Sequence, residues 1–166
     1  MILYFSRQYE RAIEQFRSVL AMDPNFPRAH AVVLAYVEKG MFAEALADAE
    51  RWRHQDGTPV WELIAYVYAR SGQQVQARRE LEQWEKWSQR RHPTQTEIIP
   101  SVYAAVGRTD EAIAFLQKAY SEHSNVVVLI KVAPYFDPLR GDPRFQELLR
   151  RVGLAQQAAS ASRINR

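Results

Sequence analysis

The chain contains no cysteine. That removes disulfides, thiolate metal sites and cysteine nucleophiles together, and leaves the redox setting open. Long apolar runs are missing too: "VVVLI" at Val126 to Ile130 falls far short of the roughly 18 residues of a membrane span. The opening "MILYFSRQYERAI" lacks the basic region, apolar stretch and small-residue cleavage site that make up a secretion signal in that order. This favours a cytoplasmic over a periplasmic setting. Nor is there a surplus of one charge. The net charge is only +3, and although arginine outnumbers lysine 18 to 4, glutamate is interleaved with it, as in "RRELEQWEKW". A nucleic-acid surface gathers its basic residues on one uninterrupted face, so no nucleic acid is expected as a partner.

What is present is a rhythm. With 166 residues, 47% hydrophobic and 25% charged, the chain can build one sizeable core or a short array of repeats. "YVEKGMFAEAL" starts at Tyr36, "YARSGQQVQAR" at Tyr68 and "YAAVGRTDEAI" at Tyr103. In each, glycine follows the tyrosine by four residues and alanine follows the glycine by five. A weaker copy, "LYFSRQYERAI", starts at Leu3 and carries Arg7 where the glycine would be. The alanines Ala12, Ala45, Ala77 and Ala112 are 33, 32 and 35 residues apart, a period typical of helical repeats.

Apolar residues recur near every 3.6 positions on both sides of each glycine, for instance Trp61, Ile64, Ala65 and Tyr68 before Gly72, and Ala77, Leu81 and Trp84 after it. Each glycine falls where one stripe ends and the next begins, the place where a helix end needs positive φ. The alanine that follows lets the returning helix approach closely. Each unit therefore reads as a two-helix hairpin that must stack on its neighbours to bury its face. The spacing predicts helices at about 8–22, 27–39, 42–55, 59–71, 74–91, 95–106 and 109–122. "MDPNFP" at Met22 to Pro27 stops the first of these.

The register resembles the tetratricopeptide repeat family, through "YERAIEQFRSVLAMDPNF", "YVEKGMFAEAL", "WELIAYVYARSGQQVQARREL" and "YAAVGRTDEAIAFLQKAY", over roughly residues 3–123. The resemblance implies an all-α, tetratricopeptide-type solenoid of stacked helix pairs. Pro100 departs from the family pattern and is expected to kink or shorten its helix. Residues 1–123 are read as the solenoid, its first repeat truncated. Residues 124–154 are read as a C-terminal helix, an Asp-Pro loop and a capping helix, and the polar 155–166 as a disordered tail. "FDPLRGDPRFQELLRRVGL" also resembles an ending found in bacterial multidomain proteins that place such repeats behind a sensor, winged-helix or kinase domain.

Few residues offer chemistry. There is no phosphate-cradling glycine loop, no HExxH pair and no G-x-S-x-G elbow. His30, His54, His92 and His123 are scattered, and are read as solvated or partly packed residues rather than metal ligands. The cluster Asp137, Arg140, Asp142 and Arg144 invites an ion-binding reading, but two Asp-Pro helix starts with arginines pairing nearby explain it more simply. Trp84 and Trp87 beside Arg90, Arg91 and His92 could form a stacking surface. Trp84 belongs to the core stripe, however, which leaves Trp87 as the one candidate exposed aromatic. No catalytic residue, metal or cofactor is expected.

What the family resemblance adds is a groove. Carried over position by position, its floor holds His30, Leu34, Val37 and Glu38, then Glu62, Tyr66 and Arg70, then Glu97 and Ser101. This mixed aromatic, aliphatic and acidic floor suits a peptide or helix with some basic character. The family's carboxylate-gripping Lys and Asn are absent from these places. The leading expectation is a non-catalytic protein-interaction scaffold, a module of a larger bacterial protein. The alternative is a self-assembling structural protein whose solenoid ends stack head to tail. In that reading the truncated first repeat leaves Leu3, Tyr4, Phe5, Ile13 and Phe16 uncovered as a self-association surface.

Overall fold

A computed structural model describes residues 1–24, 26, 31–55, 60–91 and 97–153. Among the described residues every regular element is helical and none is a strand. In chain order these are α1 (Ile2–Phe5), α2 (Tyr9–Met22), α3 (Val32–Glu38), α4 (Phe42–Gln55), α5 (Trp61–Arg70), α6 (Gln74–Arg91), α7 (Ile99–Ala105), α8 (Thr109–Ser121) and α9 (Val126–Leu129). A 3-10 segment, Pro134–Leu139, and a helix α10, Pro143–Arg151, are the last elements among the described residues. The fold is all-α, as the periodicity predicts.

The rhythm has a direct hydrogen-bonded counterpart. The Met41 N–H donates to the Tyr36 carbonyl at 2.9 Å, Gln73 to Tyr68 at 2.8 Å and Arg108 to Tyr103 at 2.8 Å. This bond closes a helix end only when the residue before the donor takes the left-handed conformation. Gly40, Gly72 and Gly107 do so, with φ of 73°, 81° and 84°. The first copy makes the same bond, Gln8 to Leu3 at 2.9 Å, but the left-handed residue is Arg7, φ 59°. A side chain there costs roughly 1 kcal/mol of backbone strain.

The alanines of the rhythm, Ala12, Ala45, Ala77 and Ala112, are all buried where helix meets helix. Around them α1 packs on α2, α3 on α4, α5 on α6 and α7 on α8. Successive pairs join through α2–α3 and α4–α5, while α3, α5 and α7 lie side by side as one row. The core runs between the layers through Trp52, Ile64, Leu81, Trp84, Ile99 and Leu116. Trp84 is a core residue beside Phe115, ring centroids 6.4 Å apart. Trp87 is not freely exposed: it is half-buried, edge-on to Trp61 at 6.0 Å. Pro100 stands in the first turn of α7, where its missing N–H breaks no helical bond, and the described helix accordingly starts at Ile99.

Beyond α8 the pattern changes. The Asp142 side chain accepts from the Arg144 N–H at 2.8 Å and Pro143 opens α10, as expected of an Asp-Pro helix start. Phe145, Leu148 and Leu149 are buried, with Phe145 set against Phe136 at 6.1 Å and α10 resting on α8. Asp137-Pro138 does not start a helix. It lies inside the 3-10 segment, and that segment packs on α7. His30, His92, Leu154 and the tail 155–166 lie outside the described residues, as do the side chains of His54, Arg90 and Arg91.

Candidate functional site

The row α3, α5, α7 presents an inner face, the side not taken by α4, α6 and α8. Of the expected floor residues, His30 lies outside the described residues; the structure puts the others on these helices or the turn before α7, but several are not open to solvent. Leu34, Val37, Tyr66 and Ser101 are buried, Glu38, Glu62 and Arg70 are partly buried, and Glu97 is exposed. What covers the face is the chain itself, from both ends.

From the N-terminal side comes Tyr4 on α1, fully buried and stacked on Tyr135 of the 3-10 segment, centroids 6.4 Å apart and planes 21° apart. Tyr9 and Phe5 flank it at 5.8 and 5.6 Å. Ile13 is buried as well, while Leu3, Phe5 and Phe16 pack against the core with part of their surface still open. The set expected to stand uncovered is thus largely covered. From the C-terminal side come Tyr135, Phe136 and Leu139, all buried. A two-pronged ion pair fastens the two arrivals: Arg7 donates from Nη1 and Nη2 to the Asp137 carboxylate at 2.7 and 2.9 Å. Arg140 adds a third donor to Asp137 at 2.7 Å. Burial works to raise the pKa of Asp137, but the hydrogen bonds from Arg7 and Arg140 outweigh it and hold the carboxyl below its ordinary value.

Beneath this clasp lies a polar node. The Tyr66 hydroxyl donates to Glu38 at 2.9 Å, and Arg70 Nη1 donates to the same carboxylate at 3.0 Å and to the Tyr66 oxygen at 2.7 Å. These residues sit one turn apart on α5 and on the neighbouring end of α3, which is why the repeat brings them together. Burial first, and the Glu38 charge second, drive the Tyr66 hydroxyl far above its normal pKa, so it remains a hydrogen-bond donor. A similar node recurs farther along, where Glu85 accepts from Tyr103 and from Arg108, both at 2.9 Å.

Other polar groups on the face are less well served. The Tyr4 hydroxyl and the Ser101 hydroxyl are buried with no hydrogen-bond partner among the described residues. Each such group costs about 1–3 kcal/mol if left unmet. Among the described residues no cation pairs with Glu62: burial, with a smaller push from Glu97, raises its carboxyl to about 7 despite a backbone hydrogen bond that opposes the shift. The inner face therefore combines aromatic rings, guanidinium forks and, among the described residues, an acid with no ion pair.

The spacing of the repeat made the floor positions findable. It could not reveal Arg7, Tyr135 and Asp137, which meet across 130 residues of sequence. The one available signal was the arginine at a position that elsewhere holds glycine. Chemically the arrangement grips a 3-10 segment through ring stacking and a forked carboxylate contact. Among the described residues no three His, Cys, Asp or Glu side chains gather as a metal site requires. No helix there is long and apolar enough to cross a membrane. No protein-family model matches the chain, and no curated protein or solved structure matches it either.

Proposed function

We propose that this chain is a non-catalytic protein-interaction module, a tetratricopeptide-type solenoid whose inner face takes a polypeptide segment, and that it works as part of a larger bacterial protein. The observation that supports this most is that the inner face already holds a polypeptide segment: its own residues 134–139 lie on α7, with Tyr135 against Tyr4. A face that takes one 3-10 segment, held through stacking on Tyr4 and the Arg7 fork, has the chemistry to take another polypeptide segment. The repeated turn bond and the buried alanines support the solenoid reading, because they fix the same approach between helices in every pair.

The floor chemistry narrows the partner. Glu62 and Glu97 lie toward the start of α5 and α7 with no ion pair among the described residues, so a basic side chain in the partner would find its counter-charge there. Selection of displayed random peptides against the intact chain tests the reading. The expected result is an enriched motif containing Lys or Arg, whose affinity falls at least tenfold in Glu62→Gln and Arg70→Ala, with helical circular dichroism showing that each variant is folded. Enrichment of no motif, or of one indifferent to both changes, would contradict it.

A further inference from the structure

We infer that the 3-10 segment Pro134–Leu139 is a built-in competitor for the inner face, and that the segment it imitates carries an aromatic ring two residues ahead of a carboxylate. The inference rests on the docking reading above. The geometry supplies the chemistry of both sides. Tyr135 stacks on Tyr4, and two residues later Asp137 receives the Arg7 fork at 2.7 and 2.9 Å.

Three features mark this contact as held for a purpose other than packing alone. Arg7 occupies the left-handed corner of its turn at φ 59°, whereas the equivalent corners at Gly40, Gly72 and Gly107 carry no side chain. Glycine would remove that strain, but only a long cation reaches Asp137. The covered face also keeps two buried hydroxyls, on Tyr4 and Ser101, without a partner among the described residues. The resident segment leaves both hydroxyls unmet among the described residues, so a foreign segment able to reach them has an advantage over it. Finally, the ion pair is half-open to water, with side-chain exposures of 50% and 37%, so an incoming carboxylate can reach Arg7 before the resident one has left. A clasp that combines strain, unmet polar groups and an accessible latch is one that exchange can open.

The test uses the full chain and a fluorescent peptide of its own sequence from Lys131 to Asp142, read by anisotropy. In Asp137→Arg the resident segment is repelled by Arg7, while the peptide still offers its own aspartate to that arginine. The variant is expected to bind the peptide at least tenfold more tightly than the parent does. A peptide carrying Tyr135→Ala and Asp137→Arg should bind neither chain. Helical circular dichroism checks that the variant is folded. Should it not be, Asp137→Asn, which removes the ionic latch without adding repulsion, takes its place with a gain of at least threefold expected. Equal binding to parent and variant overturns the competitor role while leaving the docking reading intact. No binding to a folded variant also overturns the inference, and the random-peptide selection then decides the docking reading separately.

Discussion

The interior of the helix pairs and the inner face they present obey different rules. In the interior one solution repeats: a left-handed glycine, a backbone bond of 2.8–2.9 Å from the next residue, and a buried alanine five residues past the glycine. The inner face follows no such turn rule. The left-handed corner nearest it is an arginine, and among the described residues Tyr4 and Ser101 keep unpaired hydroxyls and a partly buried acid on α5 has no ion pair. The interior repeats because each pair must match the next, whereas the face is met by segments from both ends of the described chain.

The contrast can be broken from the interior side. Ala77 is fully buried between α5 and α6, so Ala77→Arg forces both volume and charge into the contact. The expected loss is about 2–4 kcal/mol in denaturant unfolding. An unchanged midpoint would mean that the buried alanines do not set the helix approach.

On the face, Glu62 predicts a pH dependence. Its folded pKa of about 7 exceeds the ordinary 4.5, so its contribution to stability is complete below pH 4.5 and is lost as pH rises through about 7. Glu62→Gln removes this loss. Allowing for the side chain's partial contact with water, the variant should exceed the parent by about 1–2 kcal/mol at pH 8 and match it closely at pH 4.5. Thermal melts at the two values check the difference, and equal offsets at both would contradict the assignment.

Two reciprocal substitutions sharpen the comparison of the turns. Around Gly72 there is open space for a Cβ, so Gly72→Arg should cost only the backbone strain, about 1 kcal/mol. Arg7→Gly relieves the same strain but forfeits the half-exposed pair to Asp137 and loosens the unfolded chain. Its net change should stay within about 1 kcal/mol of zero. If Arg7→Gly cost as much as Ala77→Arg, the clasp would be part of the interior after all.

The sequence announces the interior because its causes are local. A glycine, the tyrosine before it and the alanine after it lie within ten residues, and helical spacing carries the rest. The 42–55 and 74–91 helices expected from that spacing stand at Phe42–Gln55 and Gln74–Arg91. The inner face is less legible because periodicity says which side chains share a face but not what lies on it. Asp137-Pro138 and Asp142-Pro143 read alike, yet Asp142 caps a helix through its neighbour Arg144 while Asp137 reaches back to Arg7. Only the second meeting depends on the whole fold. For the same reason Tyr4 and Tyr66 read as surface residues and are buried.

The most direct test of this division is amide hydrogen exchange on the parent and on Asp137→Arg. The Phe136 amide donates to Ala133 at 3.2 Å and the Arg140 amide to Asp137 at 3.2 Å, while Met41, Gln73 and Arg108 close the interior turns. The account predicts that exchange at Phe136 and Arg140 accelerates at least tenfold in the variant and that the three turn amides keep their parent rates. Unchanged protection across 134–140, or an equal acceleration at the turns, would show that face and interior are one cooperative unit and would contradict it.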